Sequence, residues 1–131
     1  MRVMLLCYDD EAAWEQAGEG ALQRAMQEAV ALTHELHAKG MYRLAAPLQP
    51  VATASTVRVR DGKRLITDGP FAETREVLGG FYVLDVKDMD EAVEIAARHP
   101  GARFGTVEVR QIIELPNLPG NNVIPKGAEA T

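Results

Sequence analysis

The stretch Thr67-Asp68-Gly69-Pro70-Phe71-Ala72-Glu73-Thr74-Arg75-Glu76 sets carboxylates, a guanidinium and an aromatic ring side by side, with Gly79-Gly80-Phe81-Tyr82 just behind. Asp68, Glu73 and Glu76 each qualify as a general base if burial or mutual repulsion raises one pKa towards neutrality. Arg75 is suited to clamp a substrate carboxylate through both its nitrogens, or to pair with Glu73 or Glu76. Asp68-Gly69-Pro70 predicts a fixed, non-helical loop: Asp accepts N–H bonds from the following backbone, Gly tolerates positive φ, and Pro sets φ. The same residues also read as a plain surface turn, with Asp68 in an Asx-type turn and the glutamates in water.

Other groups extend this chemistry. His99 precedes Pro100, and its ordinary pKa suits proton transfer near neutral pH. It also closes a predicted helix, where the macrodipole by itself favours a histidine. Glu108 and Arg110 share a strand face with Thr106, away from Val107 and Val109, as a buried pair or part of a cleft. Tyr8 and Phe71 offer rings to a flat substrate, or simply pack in the core or at its rim. His34 and His37 form an H-x-x-H with no third ligand nearby, so no metal site is assigned. Without a metal motif or a phosphate-binding glycine loop, the sequence implies no cofactor. Arg58, Arg60, Lys63 and Arg64 read as a solvated face.

Two functions fit. In the first, Asp68 or Glu73 takes a proton from a small carbon acid, Arg75 or Arg110 holds the anion, and His99 returns the proton. In the second, the same residues form a metabolite-binding or protein-interaction module without turnover. A catalyst requires a carboxylate or histidine of shifted pKa facing an enclosed cavity, whereas a binding module requires only the cavity.

These groups need elements to hold them. Residues 2–8 form an unbroken apolar run, expected of a strand covered on both faces. Asp9 or Asp10 caps a short helix through Trp14. Residues 21–39 repeat Leu22, Ala25, Met26, Ala29, Val30, Leu32 and Leu36 on one face, and Gly40 stops the helix. A strand follows over 41–48. Asp61-Gly62 joins strands 55–60 and 63–67 in a two-residue hairpin that sets Val57 opposite Ile66. Residues 80–86 form another strand. Asp88-x-x-Glu91 opens a helix closed by Pro100-Gly101. The last strand runs over 105–115, with Val107, Val109 and Ile113 on one face. The order is β-α-β, an inserted hairpin, then β-α-β, which predicts an α+β, ferredoxin-like βαββαβ fold. Leu5/Leu6 and Val83/Leu84 place apolar groups on both sides of a sheet whose helices cover one. A homodimer that pairs two such faces is therefore expected.

The bulk numbers are consistent with that. The 131 residues carry 14 Lys and Arg against 19 Asp and Glu, a net charge of −5. That argues against nucleic acid or an anionic membrane as partner. A single cysteine, Cys7, allows no internal disulfide, and the short apolar run at the start reads as a strand, so a cytoplasmic setting is expected.

Over 1–115 the chain resembles the DGPF branch of the YCII-related family. The residues that carry this are the stretch from Asp68 to Glu76, Gly79-Gly80-Phe81-Tyr82, Val57-Arg58-Val59-Arg60-Asp61-Gly62, Asp90-Glu91-Ala92 and Val107-Glu108-Val109-Arg110. The resemblance implies a dimeric α+β barrel similar to muconolactone isomerase and a chlorohydroquinone dehydrochlorinase. It also implies a link to sigma-factor regulation for some members. The enzymes of the family resemble one another in a first-helix His and an Asp-Pro pair. Here those positions fall near Ala29 and at His99-Pro100, so that dyad does not carry over. Residues 116–131 lie outside the resemblance and read as an irregular tail.

Overall fold

The computed structural model describes residues 1–119. The apolar run at the start becomes β1 (Arg2–Asp9), a central strand. It pairs antiparallel with β5 (Val77–Asp85) on one side and β6 (Thr106–Gln111) on the other. The edge strand β2 (Tyr42–Pro47) completes the sheet in the order β2-β5-β1-β6. A separate two-stranded sheet is made by β3 (Ser55–Arg60) and β4 (Lys63–Asp68), with Val57 opposite Ile66 as the turn signal requires. Asp61 and Gly62 at its tip both take positive φ, 52° and 74°.

Among the described residues four α-helices accompany the strands. Asp10 caps α1 (Glu11–Ala17), its carboxylate accepting from the N–H groups of Ala12 and Ala13. The long helix α2 (Glu19–Ala38) ends where Gly40 takes φ 74°. Asp88 caps α3 (Met89–Arg98) through the Glu91 N–H at 2.9 Å, and Glu91 reaches back to Lys87 N. A single turn, α4 (Gly101–Phe104), follows before β6. No helix among the described residues is long and apolar enough to cross a membrane.

The core lies between one sheet face and the helices α2 and α3. Val3 and Leu5 of β1, Tyr82 and Leu84 of β5, Leu32 and Leu36 of α2, and Ala92, Ile95 and Ala96 of α3 form one buried cluster. Val107 and Val109 pack against it. Burying aliphatic side chains this way is the main stabilising term, about 1.5–3 kcal/mol for each fully buried one. The opposite face of the sheet carries Met4, Leu6, Phe81 and Val83, half-buried by their neighbours and covered by no helix. The unbroken apolar run of β1 thus has one face in the core and one on the open side of the sheet.

Three details differ from the sequence-based expectation. β5 begins at Val77 rather than residue 80, because Val77 still pairs with Asp9. The last strand stops at Gln111, and Ile113 is 76% exposed instead of continuing the core face. On α2 only Ala25, Leu32 and Leu36 are buried, whereas Leu22, Met26 and Val30 stay exposed along the same stripe. The first half of α2 is not seated on the sheet. Of the expected tail, residues 116–119 form turns and bends, and the remainder lies outside the described residues.

Candidate functional site

Where α2 stands off the sheet, a cleft of about 590 Å3 opens between it, α1, and the ends of β1, β2 and β5. Most of its lining is apolar, including Leu22, Met26, Val30 and Leu48. Polar groups are few: Asp9, the Tyr82–Thr33 pair and His99 inside, with Glu11, Glu15 and His34 also on the lining.

Asp9 sits in the cleft because of strand alternation. Val3, Leu5 and Cys7 point to the helix-covered side of β1, and position 9 continues that series. Its Oδ2 accepts the indole N–H of Trp14 from α1 at 3.0 Å. Opposite it, the ladder jumps from Cys7↔Gly80 to Tyr8↔Leu78, which leaves Gly79 as the extra residue of a bulge. A Cβ on Gly79 would lie 2.9 Å from Asp9 Oδ1, so the carboxylate occupies the space a side chain would take. A Cβ on Gly80 would lie 3.1 Å from the Ala46 carbonyl oxygen, where β2 passes closely. Burial, followed by the charges of Glu11, Asp10 and Glu76, raises the Asp9 pKa against the lowering effect of the Trp14 hydrogen bond.

His99 reaches the same cleft from the end of α3. Pro100 disfavours helical geometry in the residue before it, and His99 accordingly takes φ −72° and ψ 134°. Its Nδ1 accepts the Gly101 N–H at 2.9 Å, so the neutral ring carries its proton on Nε2. Burial lowers its pKa, with Glu28 acting the other way and Arg103 reinforcing the fall. The macrodipole explanation, which favours the charged form, is outweighed here. The Tyr82 ring meets His99 edge-on at 5.3 Å. Thr33 gives its only hydroxyl proton to the Ala29 carbonyl at 2.8 Å, so Tyr82 is the donor in their 3.1 Å contact. The Cys7 thiol is pushed up to about 11 by burial and by Asp9, which keeps it protonated and unreactive.

The other residues singled out from the sequence lie elsewhere. Asp68 ends β4 and is exposed, and Glu73 is exposed in the loop behind it. That loop is held through backbone: Gly69 N donates to Ala54 O at 2.6 Å, and Thr56 Oγ1 donates to Gly69 O at 2.8 Å. Phe71 is 74% exposed. Arg75 pairs neither with Glu73 nor with Glu76 but with Asp10, Nε to Oδ2 at 3.0 Å. With Thr74 and Asp10 it borders a second concavity of about 520 Å3 beside α1. Glu76 Oε1 accepts from Thr106 Oγ1 at 3.0 Å. Tyr8 lines the main cleft, and its hydroxyl donates to Glu108 Oε1 at 3.5 Å on the open sheet face that Arg110 also occupies. His37 makes an edge contact with Tyr42. Among the described residues no three His, Cys, Asp or Glu side chains are grouped to hold a metal.

The groups the structure brings together are therefore His99 with Asp9, Trp14 and Gly79, whereas Tyr8 borders the cleft with its hydroxyl turned to the open sheet face. Asp9, Trp14 and Gly79 were not singled out as site residues. The signal for Asp9 was present: it ends the strand on the inward series of Val3, Leu5 and Cys7.

Gly79→Ala is expected to cost about 1 kcal/mol, since the clash is with the mobile end of a side chain. It should also break the Asp9–Trp14 hydrogen bond. An upfield move of the Trp14 indole N–H resonance relative to the native protein, with the fold retained, would confirm this; an unchanged resonance would refute it.

An antiparallel α+β domain with a largely apolar cleft that has a carboxylate and a histidine on its lining is the class these features define. The chain belongs to the YCII-related domain family, which it matches over residues 1–116. It is also 34% identical over 114 residues to an uncharacterized protein of Rhizobium meliloti (strain 1021), covering 86% of this chain and 92% of that one.

Proposed function

We propose that this YCII-related protein is a cofactor-free small-molecule enzyme that moves a proton within the cleft beneath α2, with Asp9 as base and His99 as hydrogen-bond or proton donor. The observation that carries this is one cavity holding two titratable groups whose pKa values burial shifts towards each other, Asp9 upward and His99 downward. A raised carboxylate is a stronger base, and Asp9 keeps Oδ1 for a substrate while Trp14 holds Oδ2. His99 has Nδ1 engaged by backbone, so Nε2–H is its donor. Asp68 and Glu73, exposed and outside this lining, are not part of the mechanism proposed. The test is exchange in heavy water: a panel of small lactones, cyclic ketones and imines is incubated with the protein, and loss of C–H signal is followed by NMR. Catalysed exchange supports the enzyme reading. Binding without exchange would favour a non-catalytic metabolite-binding module.

The reading includes placement in the DGPF branch and a ferredoxin-like protomer that assembles as a dimeric α+β barrel. Its support is the strand order β2-β5-β1-β6 with α2 and α3 on one face, and the apolar opposite face. Burying Met4, Leu6, Phe81 and Val83 against a second copy would remove that surface from water. Sedimentation of the native protein should give the mass of two chains, and Val83→Glu should halve it while leaving the helical circular-dichroism signal. A monomeric native protein would end the dimer proposal.

A further inference from the structure

We infer that the cleft is built for an organic monocation, a protonated amine or iminium with a compact apolar or aromatic body. This rests on the reading of the cleft as the small-molecule site and specifies what enters it.

Charge complementarity carries the inference. Asp9, Glu11 and Glu15 line the cleft, and none of its lining residues is Lys or Arg. The neighbouring guanidiniums are committed outside it, Arg75 to Asp10 and Arg103 to Glu28. An anionic occupant would add a second negative charge to a site that already penalises the first. A cation would instead bring Asp9 the counter-charge that the fold withholds. The rings of Trp14, Tyr42 and Tyr82 on the lining suit both the apolar body and the cation, because an aromatic face attracts positive charge.

The same point bears on the reaction. Removing a proton from a neutral carbon acid would create an enolate in a cleft with no fixed cation to stabilise it. From an iminium, the α-proton passes to Asp9 Oδ1, the C–H electron pair becomes a C=C bond, and the C=N π pair moves onto nitrogen, which leaves a neutral enamine. Carboxylate and cation are then both neutral, a change favoured where the carboxylate is partly withdrawn from water, as Asp9 is. Returning the proton at the original carbon gives exchange, and in a conjugated iminium, where a dienamine forms, returning it at the distal carbon completes an isomerisation. No oxidant or reductant is needed.

The test uses three probes of one shape: benzylamine, benzyl alcohol and benzoate, titrated at pH 7 into the 15N-labelled full chain. The Trp14 indole N–H and the Gly79 and Gly80 amides report binding. Benzylamine is expected to bind about tenfold more tightly than benzyl alcohol, and benzoate more weakly than either. In Asp9→Asn the amine should lose most of its advantage over the alcohol while the alcohol is unaffected. Glu15→Gln, at the lining but not bonded to Asp9, should reduce the amine preference in part. Equal binding of amine and alcohol, or preference for benzoate, overturns the cation inference and leaves the cleft as a small-molecule site. If none of the three perturbs the reporter signals, the reading of the cleft falls with it.

Discussion

Asp9→Asn is expected to lower catalysed hydrogen exchange by about 10^2–10^4-fold and, at neutral pH, to raise rather than lower thermal stability. The activity loss follows because the amide is isosteric and can still accept the Trp14 N–H but cannot take up a proton. The stability gain follows from the pKa. Asp9 is raised on folding by burial first and by nearby carboxylates after that, so the folded state holds its proton more tightly than the unfolded chain. Such a group contributes stability below its unfolded pKa and loses that contribution as pH rises through the folded value. Above both values the ionised Asp9 is a net liability, and Asn removes it. Melting curves of the two proteins should converge below about pH 4, the ordinary range for Asp, and separate as pH rises. If Asp9→Asn is less stable at pH 7 and equally active, Asp9 is a structural residue held by Trp14 and the mechanism fails.

Gly105→Ala is expected to be the most damaging single-methyl change, costing about 3 kcal/mol and lowering the melting temperature by roughly 10–15 °C. A Cβ at Gly105 would lie 2.1 Å from the Tyr8 carbonyl oxygen and 3.1 Å from the Asp9 Cα. Both atoms are backbone of the central strand, which is paired on both sides, so neither can yield as a flexible side chain would. Gly105 links α4 to β6, and its N–H is tied to the Gly101 carbonyl at 2.8 Å. Relief would therefore have to open the end of the sheet where Asp9 sits. Chemical denaturation measures the cost directly. A change below about 0.5 kcal/mol would show that this junction is looser than the packing indicates.

Much of the architecture could be read from local signals. The helix over residues 21–39, the Asp61-Gly62 hairpin and the Asp88 cap each rest on contacts within a few residues, and each is found where expected. The limits of that reading lie with the same helix. Its apolar stripe runs through Leu22, Met26 and Val30, and the sequence does not distinguish a stripe seated on a sheet from one that borders a cleft.

The candidate site was less legible. Asp68, Glu73 and Arg75 drew attention because they are dense in sequence, yet all three are exposed, and Arg75 pairs with the capping residue of α1. His99 was visible through its type and its proline neighbour. Asp9 was seen only as a possible helix cap, because the unbroken apolar run of β1 hid the two-residue alternation that turns position 9 inward. Gly79-Gly80 was visible as a motif without a reason for it. The reason is the bulge that makes room for a carboxylate on another strand.

By itself, then, the sequence determined the elements, their order and the α+β class, because caps, turns and hydrophobic period act over a few neighbouring residues. The tertiary structure alone decided which carboxylate shares a cavity with His99. That depends on strand register, on a one-residue bulge in β5, and on how far α2 stands from the sheet. Register and bulge are set by pairing of β1 with β5, roughly seventy to eighty residues apart in the chain, and the position of α2 by packing against segments outside itself, none of which local propensity reaches.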